Sequence, residues 1–174
     1  MNRPESDVFA TQAMQYIPRL RRYARALTGD ASAADDLVQD ALERALVKQA
    51  LWREGSDLRA WLFTVMHNVF VNQVRSAAAS RTVPLEASAE ELIQAQAGDR
   101  LEIRDLDVAL QALPEEQRAV VLLVGLEQMT YEETARVLEV PVGTVMSRLS
   151  RGRERLRRLM QGQPDNATPL KVVK

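Results

Sequence analysis

The sequence contains no cysteine and a single histidine, His67. Without thiols there is no disulfide, no thiolate metal site and no cysteine nucleophile. One imidazole cannot build a multi-histidine zinc site, and it argues against histidine-based catalysis. Aromatic residues make up only 5% of the chain, while leucine, valine and alanine dominate, which favours helices over a sandwich or barrel. No apolar run approaches the roughly 18 residues that cross a bilayer. The first residues, MNRPESDVFA, lack the apolar segment of a signal peptide. The expectation is therefore a cytoplasmic protein with no membrane insertion. No nucleophile–base pair, metal-ligand set or glycine-rich phosphate loop is clustered in the sequence, so no enzyme activity, metal or cofactor is expected.

What is present suits two small helical units. At roughly 100–200 residues per domain, 174 residues allow one domain or two small ones. With 46% hydrophobic residues a packed core can form. The net charge of −1, from 23 basic and 24 acidic residues, excludes a globally basic nucleic-acid binder. The charge is unevenly spread. Between Asp30 and Glu43 lie five acids (Asp30, Asp35, Asp36, Asp40, Glu43) and no base. Between Val142 and Met160 lie six arginines against one acid, Glu154. An acidic patch and a basic helix in one small chain point to two different partners.

Apolar periodicity predicts helices over about Val8–Leu27, with a break or kink at Pro18, over Ala31–Gln49, and over Leu58–Ala78. Trp52–Asp57 reads as a loop broken by Gly55. Ala79–Arg100 is rich in Ala, Ser and Gln and lacks a strong apolar face, so it reads as a linker, with a short helix near Glu90–Ala95. A helix then ends near Ala112. Pro114 opens another, with Glu115 and Glu116 in its first turn, where acids suit the helix dipole. Thr130 caps a third, and Glu133 stands at capping-box spacing. Pro141 starts the last helix, which runs to about Met160. The tail after Gln161 has no periodicity and is expected to be disordered.

Thr130–Arg158 has the chemistry of a helix-turn-helix: a short capped helix, a tight turn at Glu139-Val140-Pro141, then a long helix. Val137, Leu138, Val140, Val145 and Leu149 can form its core. Thr144, Ser147, Arg148 and Arg151 share a polar face at i, i+3, i+4 and i+7. Short polar groups allow close approach to bases, and an arginine forked onto guanine is worth about 1–3 kcal/mol of discrimination. Arg153, Arg155, Arg157 and Arg158 lie further along, where phosphate contacts are expected. On the Leu58–Ala78 helix, at about 100° per residue, Trp61, Thr64, Asn68, Asn72 and Arg75 line one border of the apolar face. Aromatic, amide and guanidinium groups in a line can bind unstacked bases. By residue type alone the commoner reading is structural, with a Trp at such a position in the core and Asn residues simply exposed, and His67 reads as a surface or satisfied histidine. Asp35–Asp40 interleaves acids with apolar residues, either as a solvated face or as a docking face for a basic partner.

Together these segments resemble the bacterial extracytoplasmic-function (ECF) RNA polymerase sigma factors. ADDLVQDALERAL resembles the region that docks on polymerase. LRAWLFTVMHNVFVNQVRS resembles the region that melts and reads the minus-ten promoter element. LPEEQRAVVLLVGLEQMTYEETARVLEVPVGTVMSRLSRGRERLR resembles the region that reads the minus-thirty-five element. The resemblance spans about Tyr16–Leu159. It implies polymerase contacts at Asp36, Gln39 and Asp40. It implies minus-ten contacts at Asn68 and Asn72, with Trp61 and Arg75 on the same surface. The loop Arg53, Glu54, Gly55, Ser56 and Asp57 stands where the family holds a flipped base. Minus-thirty-five contacts are implied at Ser147, Ser150 and Arg151, alongside Thr144, Arg148 and Arg153. Met146 departs from the arginine or lysine common in the family.

The expected architecture is all-α: two small helical domains joined by a flexible linker, the second a helix-turn-helix. The expected divisions are 1–80, a linker 81–100, 101–160 and a tail 161–174. The expected partners are core RNA polymerase, promoter DNA both duplex and single-stranded, and an anti-sigma factor. The alternative is a helix-turn-helix regulator that acts without polymerase docking. It would need a dimerisation surface or effector pocket in the first half.

Overall fold

A computed structural model describes residues 3–80 and 99–162. Those residues form eight α-helices and no strand. The first four are α1 (Arg3–Met14), α2 (Ile17–Thr28), α3 (Ala31–Val47) and α4 (Leu58–Ser80). The others are α5 (Asp99–Gln111), α6 (Glu115–Gly125), α7 (Tyr131–Leu138) and α8 (Val142–Met160). A single 3-10 turn, Gln49–Leu51, leads into the loop before α4. The expected all-α architecture is present. The short helix expected near Glu90–Ala95 and the expected disordered tail lie outside the described residues, apart from Gln161 and Gly162.

The predicted Val8–Leu27 helix is two helices. The chain breaks at Gln15-Tyr16, and Pro18 sits in the first turn of α2, where its missing N–H leaves no bond unmade. α2 ends at Gly29, whose φ of 74° is a left-handed turn that glycine takes without strain. Asp30 then caps α3 by accepting the Ala33 N–H at 2.7 Å. Leu20, Tyr23, Leu27, Leu37, Phe63 and Met66 are buried where α2, α3 and α4 meet. Tyr23 lies edge-on to Phe63 with ring centroids 5.2 Å apart. Burying each such side chain contributes about 1.5–3 kcal/mol.

The second half packs Val120 and Leu123 of α6 with Val137 of α7 and Val145 and Leu149 of α8. Gly152 of α8 allows α6 to approach closely: a Cβ there would lie 2.8 Å from Val121 Cγ2. The two halves also touch, with α2 against α5 and α6, and α4 against α7. The last carbonyls of α2 are capped from the other half. Gln111 Nε2 donates to Ala26 O at 2.9 Å and Arg118 Nη1 to Leu27 O at 2.7 Å. Arg118 also donates to the carbonyls of Leu110, Gln111 and Leu113. One guanidinium thus fastens the α5–α6 turn to the end of α2.

Candidate nucleic-acid interface

The predicted capping box is formed. Thr130 Oγ1 accepts the Glu133 N–H at 3.1 Å, and Glu133 Oε2 accepts the Thr130 N–H at 2.7 Å. The Thr130 N–H bond holds the Glu133 carboxyl below its ordinary pKa, with Arg59 adding to the effect. At the other end of α7, Val140 N–H reaches Ala135 O at 3.0 Å and Glu139 N–H reaches Arg136 O at 3.3 Å. These bonds close the helix as a Schellman motif. Glu139 takes the left-handed conformation, φ 53°, a position more often held by glycine or asparagine. Pro141 precedes α8, as expected.

On α8, Ser147, Ser150, Arg151 and Arg153 are exposed, and Thr144 is half-buried. Arg151 folds back along the helix. Its Nε donates to Ser147 O at 3.2 Å and its Nη2 to Ser147 Oγ at 3.2 Å. Arg148 is half-buried, and its Nη2 pairs with Glu116 Oε2 of α6 at 2.7 Å. Periodicity put Arg148 on the face it shares with Thr144, Ser147 and Arg151 but could not show which neighbour would take its long side chain.

On α4, Asn72 and Arg75 are exposed and Trp61 is half-buried. Trp61 meets Phe9 edge-on, centroids 5.8 Å apart, and Phe9 also meets Trp52 at 5.6 Å. Thr64 Oγ1 donates back to Ala60 O at 2.8 Å, so its hydroxyl serves its own helix. Asn68 Nδ2 donates to Glu139 Oε1 at 3.4 Å. His67, expected as a surface or satisfied histidine, is half-buried, and its Nδ1 has no hydrogen-bond partner. Burial lowers its pKa, nearby Glu139 opposes that shift and Arg148 adds to it.

The loop 53–57 is a tight turn. Ser56 N–H and its Oγ both donate to Arg53 O, at 3.0 and 2.7 Å. Asp57 Oδ1 accepts the Ala60 N–H at 3.0 Å and caps α4. This loop borders an open cavity of about 600 Å³, whose other walls are Gln12, Gln15, Tyr16, Trp52 and Leu58. That volume falls within the roughly 300–1,000 Å³ of small-ligand sites. On α3, Asp36, Gln39 and Asp40 are exposed on one face. Asp40 Oδ2 accepts from Gln73 of α4 at 2.7 Å, and Gln39 Nε2 donates to Glu43 at 3.1 Å.

Sequence reading missed the residues that join the halves. Glu127, in the α6–α7 turn, is fully buried. Its carboxylate accepts from Arg19 Nε and Arg22 Nη2 of α2, both at 2.9 Å. Its carbonyl accepts from Arg19 at 3.2 Å and Arg59 at 3.4 Å. Arg59 of α4 also pairs with Glu133 at 3.1 Å. Arg19 and Arg22 stand one turn apart on α2, and Glu127, 108 residues from Arg19, is too far along the chain for spacing to pair them.

Residues 14–67 match the family described as the Sigma2 domain of PhyR, and residues 103–156 match Sigma-70 region 4. The chain is 35% identical over 159 residues to the ECF RNA polymerase sigma factor EcfG of Rhodopseudomonas palustris, covering 90% of this chain and 87% of that protein. Its fold is similar to the sigma factor RpoE of Bartonella quintana, solved in complex with the anti-sigma factor NepR. That likeness has a TM-score of 0.74 and 35% identity, over 88% of this chain and 96% of the other. CnrH, solved with the cytosolic domain of CnrY, is similar at TM-score 0.66 and 25% identity, over 90% and 89% of the two chains. With both sigma regions matched in order and relatives aligned over nearly their full length, the chain belongs to the ECF RNA polymerase sigma factors.

Proposed function

We propose that this chain binds core RNA polymerase, directs it to specific promoters and promotes DNA opening, and that an anti-sigma factor holds it inactive. The observation that carries this reading is the exposed row Ser147, Ser150, Arg151 and Arg153 on the second helix of a well-capped helix-turn-helix, within a chain aligned to a sigma factor along nearly all its length. In this reading 101–160 docks duplex DNA at the minus-thirty-five element. The arginines beyond Arg151 hold phosphates and add affinity without sequence information. Residues 1–80 capture minus-ten bases as they leave the stack, with Asn68 and Asn72 on exposed base edges. A flipped base enters the cavity beside the loop 53–57, and its capture offsets an unstacking cost of a few kcal/mol. Trp61 supports this surface from its packed position on Phe9. Asp36, Gln39 and Asp40 face polymerase, with 81–100 as the connection between the domains.

The charge balance fits such a division of labour. A chain of net charge −1 neutralises few phosphates and binds duplex weakly alone. Two weak reads become one strong read when polymerase holds both domains. The anti-sigma partner is supported by the sigma factor RpoE of Bartonella quintana, co-crystallised with the anti-sigma factor NepR.

The test is in-vitro transcription with sigma-free core polymerase and genomic promoter fragments. New transcript starts that share two spaced upstream elements are expected. A palindromic footprint by the chain alone, with no transcripts, would favour the helix-turn-helix regulator instead. Binding of an anti-sigma factor without transcripts would mark a sigma mimic.

A further inference from the structure

Near its N-terminus, the exposed side of α8 is narrow and uncharged. Gly143, Met146, Ser147 and Ser150 are exposed, whereas Thr144 is half-buried and Val145 and Leu149 are buried. At about 100° per residue, the four exposed positions span an arc of about 100°, with Met146 at one border and Ser147 at the other. Arg148 lies off this arc and is paired with Glu116 of α6.

Three of the four positions offer little side chain. Gly143 has none, and a Cβ built there would meet nothing within 4 Å, so packing does not call for glycine. Ser147 Oγ donates to Thr144 O at 3.1 Å and accepts from Arg151 at 3.2 Å. Met146 is the exception. It is 52% exposed and is the one long side chain on the arc.

The chemistry of that side chain limits what it can do on DNA. A thioether carries no charge to hold a phosphate, and its sulfur is only a weak acceptor. Its gain comes from apolar contact. Base edges in the major groove present hydrogen-bonding groups and one apolar group, the thymine 5-methyl. In a helix-turn-helix the N-terminal residues of the second helix are those that contact base edges. Met146 lies within the first two turns of α8. Arg153, on the same side, lies about 10 Å further along at 1.5 Å per residue. Position and chemistry agree: the arginine suits the phosphate backbone, and the methionine suits the groove floor. Glycine and serine beside it let the helix backbone come close. The flexible, polarisable thioether can then settle on a methyl group.

We propose that Met146 determines specificity, its side chain packing on the 5-methyl group of a thymine in the minus-thirty-five element and so selecting an A·T pair by apolar contact. The proposal rests on the sigma-factor reading above and deepens it, adding an apolar read to the polar row of Ser147, Ser150 and Arg151.

Deoxyuridine lacks only the methyl group of thymidine, so the test removes one group from each partner. The full chain is assembled with sigma-free core polymerase. Affinity is measured by fluorescence anisotropy on promoter duplexes in which each thymine of the minus-thirty-five element, on either strand, is replaced singly by deoxyuridine. One replacement should weaken binding about fourfold, the factor that corresponds to one buried methyl group. Met146→Ala should bind the unmodified promoter at least about fourfold more weakly, for the same lost contact, and should be indifferent to that replacement. Met146→Leu, which keeps an apolar side chain, should keep most of the sensitivity. Because Met146 is exposed, neither variant opens a cavity in the core. A minus-thirty-five element without an A·T pair would overturn the proposal. So would a wild-type holoenzyme indifferent to every replacement, or a Met146→Ala holoenzyme that keeps the full loss. Failure of the wild-type holoenzyme to bind any promoter duplex would instead overturn the sigma-factor reading itself.

Discussion

A Cβ added at Gly152 would lie 2.8 Å from Val121 Cγ2, closer than real Cβ contacts come. Helix propensity alone favours Gly152→Ala by about 1 kcal/mol. Overpacking costs about 1–3 kcal/mol, and the short Val121 side chain has little room to yield. The expected result is a net loss of about 1 kcal/mol, read from the urea unfolding midpoint. A gain would mean that α6 and α8 separate easily. The neighbouring Arg151 tests function instead. Its guanidinium rests on Ser147, along the exposed row proposed to read the minus-thirty-five element. Arg151→Ala should weaken promoter binding by the holoenzyme by about 1–3 kcal/mol and relax preference at one base pair. Equal losses on every base-substituted promoter would instead assign Arg151 to a phosphate.

At the scale of elements, α7 was legible because its signals are local. The capping box needs only Thr130 and Glu133 three residues apart, and both bonds form. Thr130→Ala should cost about 1 kcal/mol in a thermal melt. Glu133 adds a pH signature. Its carboxyl is held below its ordinary value of 4.5, so its contribution is present above that value and lost as pH falls through the lowered one. Glu133→Gln, which removes the titrating group, should therefore flatten stability below pH 4.5, and an unchanged acid profile would place that dependence elsewhere. The break between α1 and α2 was harder to read. Pro18 signals an interruption, but proline is tolerated in a first turn, so the break fell earlier, at Gln15-Tyr16. Arg148 shows the limit of periodicity. Spacing fixes a helical face, but the ion pair with Glu116 depends on how α6 packs.

At the scale of the molecule, the two halves and their order could be read from the chain, but their contact could not. Arg19, Arg22 and Glu127 look like ordinary surface charges until α2 meets the α6–α7 turn, and Asn68 looks free until Glu139 lies beside it. His67 offers a measurable consequence of that contact. It faces Glu139 at the end of α7 and Arg148 of α8, and burial between these elements lowers its pKa from the ordinary 6.5. In an unfolded chain the imidazole returns toward 6.5 and takes up a proton that the folded state resists. This part of the stability is therefore full above about pH 7.5 and declines as pH falls through 6.5 toward the lowered value. The urea unfolding midpoint should fall over that range, while His67→Gln should remove the dependence. A profile that is flat between pH 7.5 and 5.5 in the wild-type chain would mean that His67 stays protonated or solvated in both states, and that α4 and α7 are not pressed together in solution.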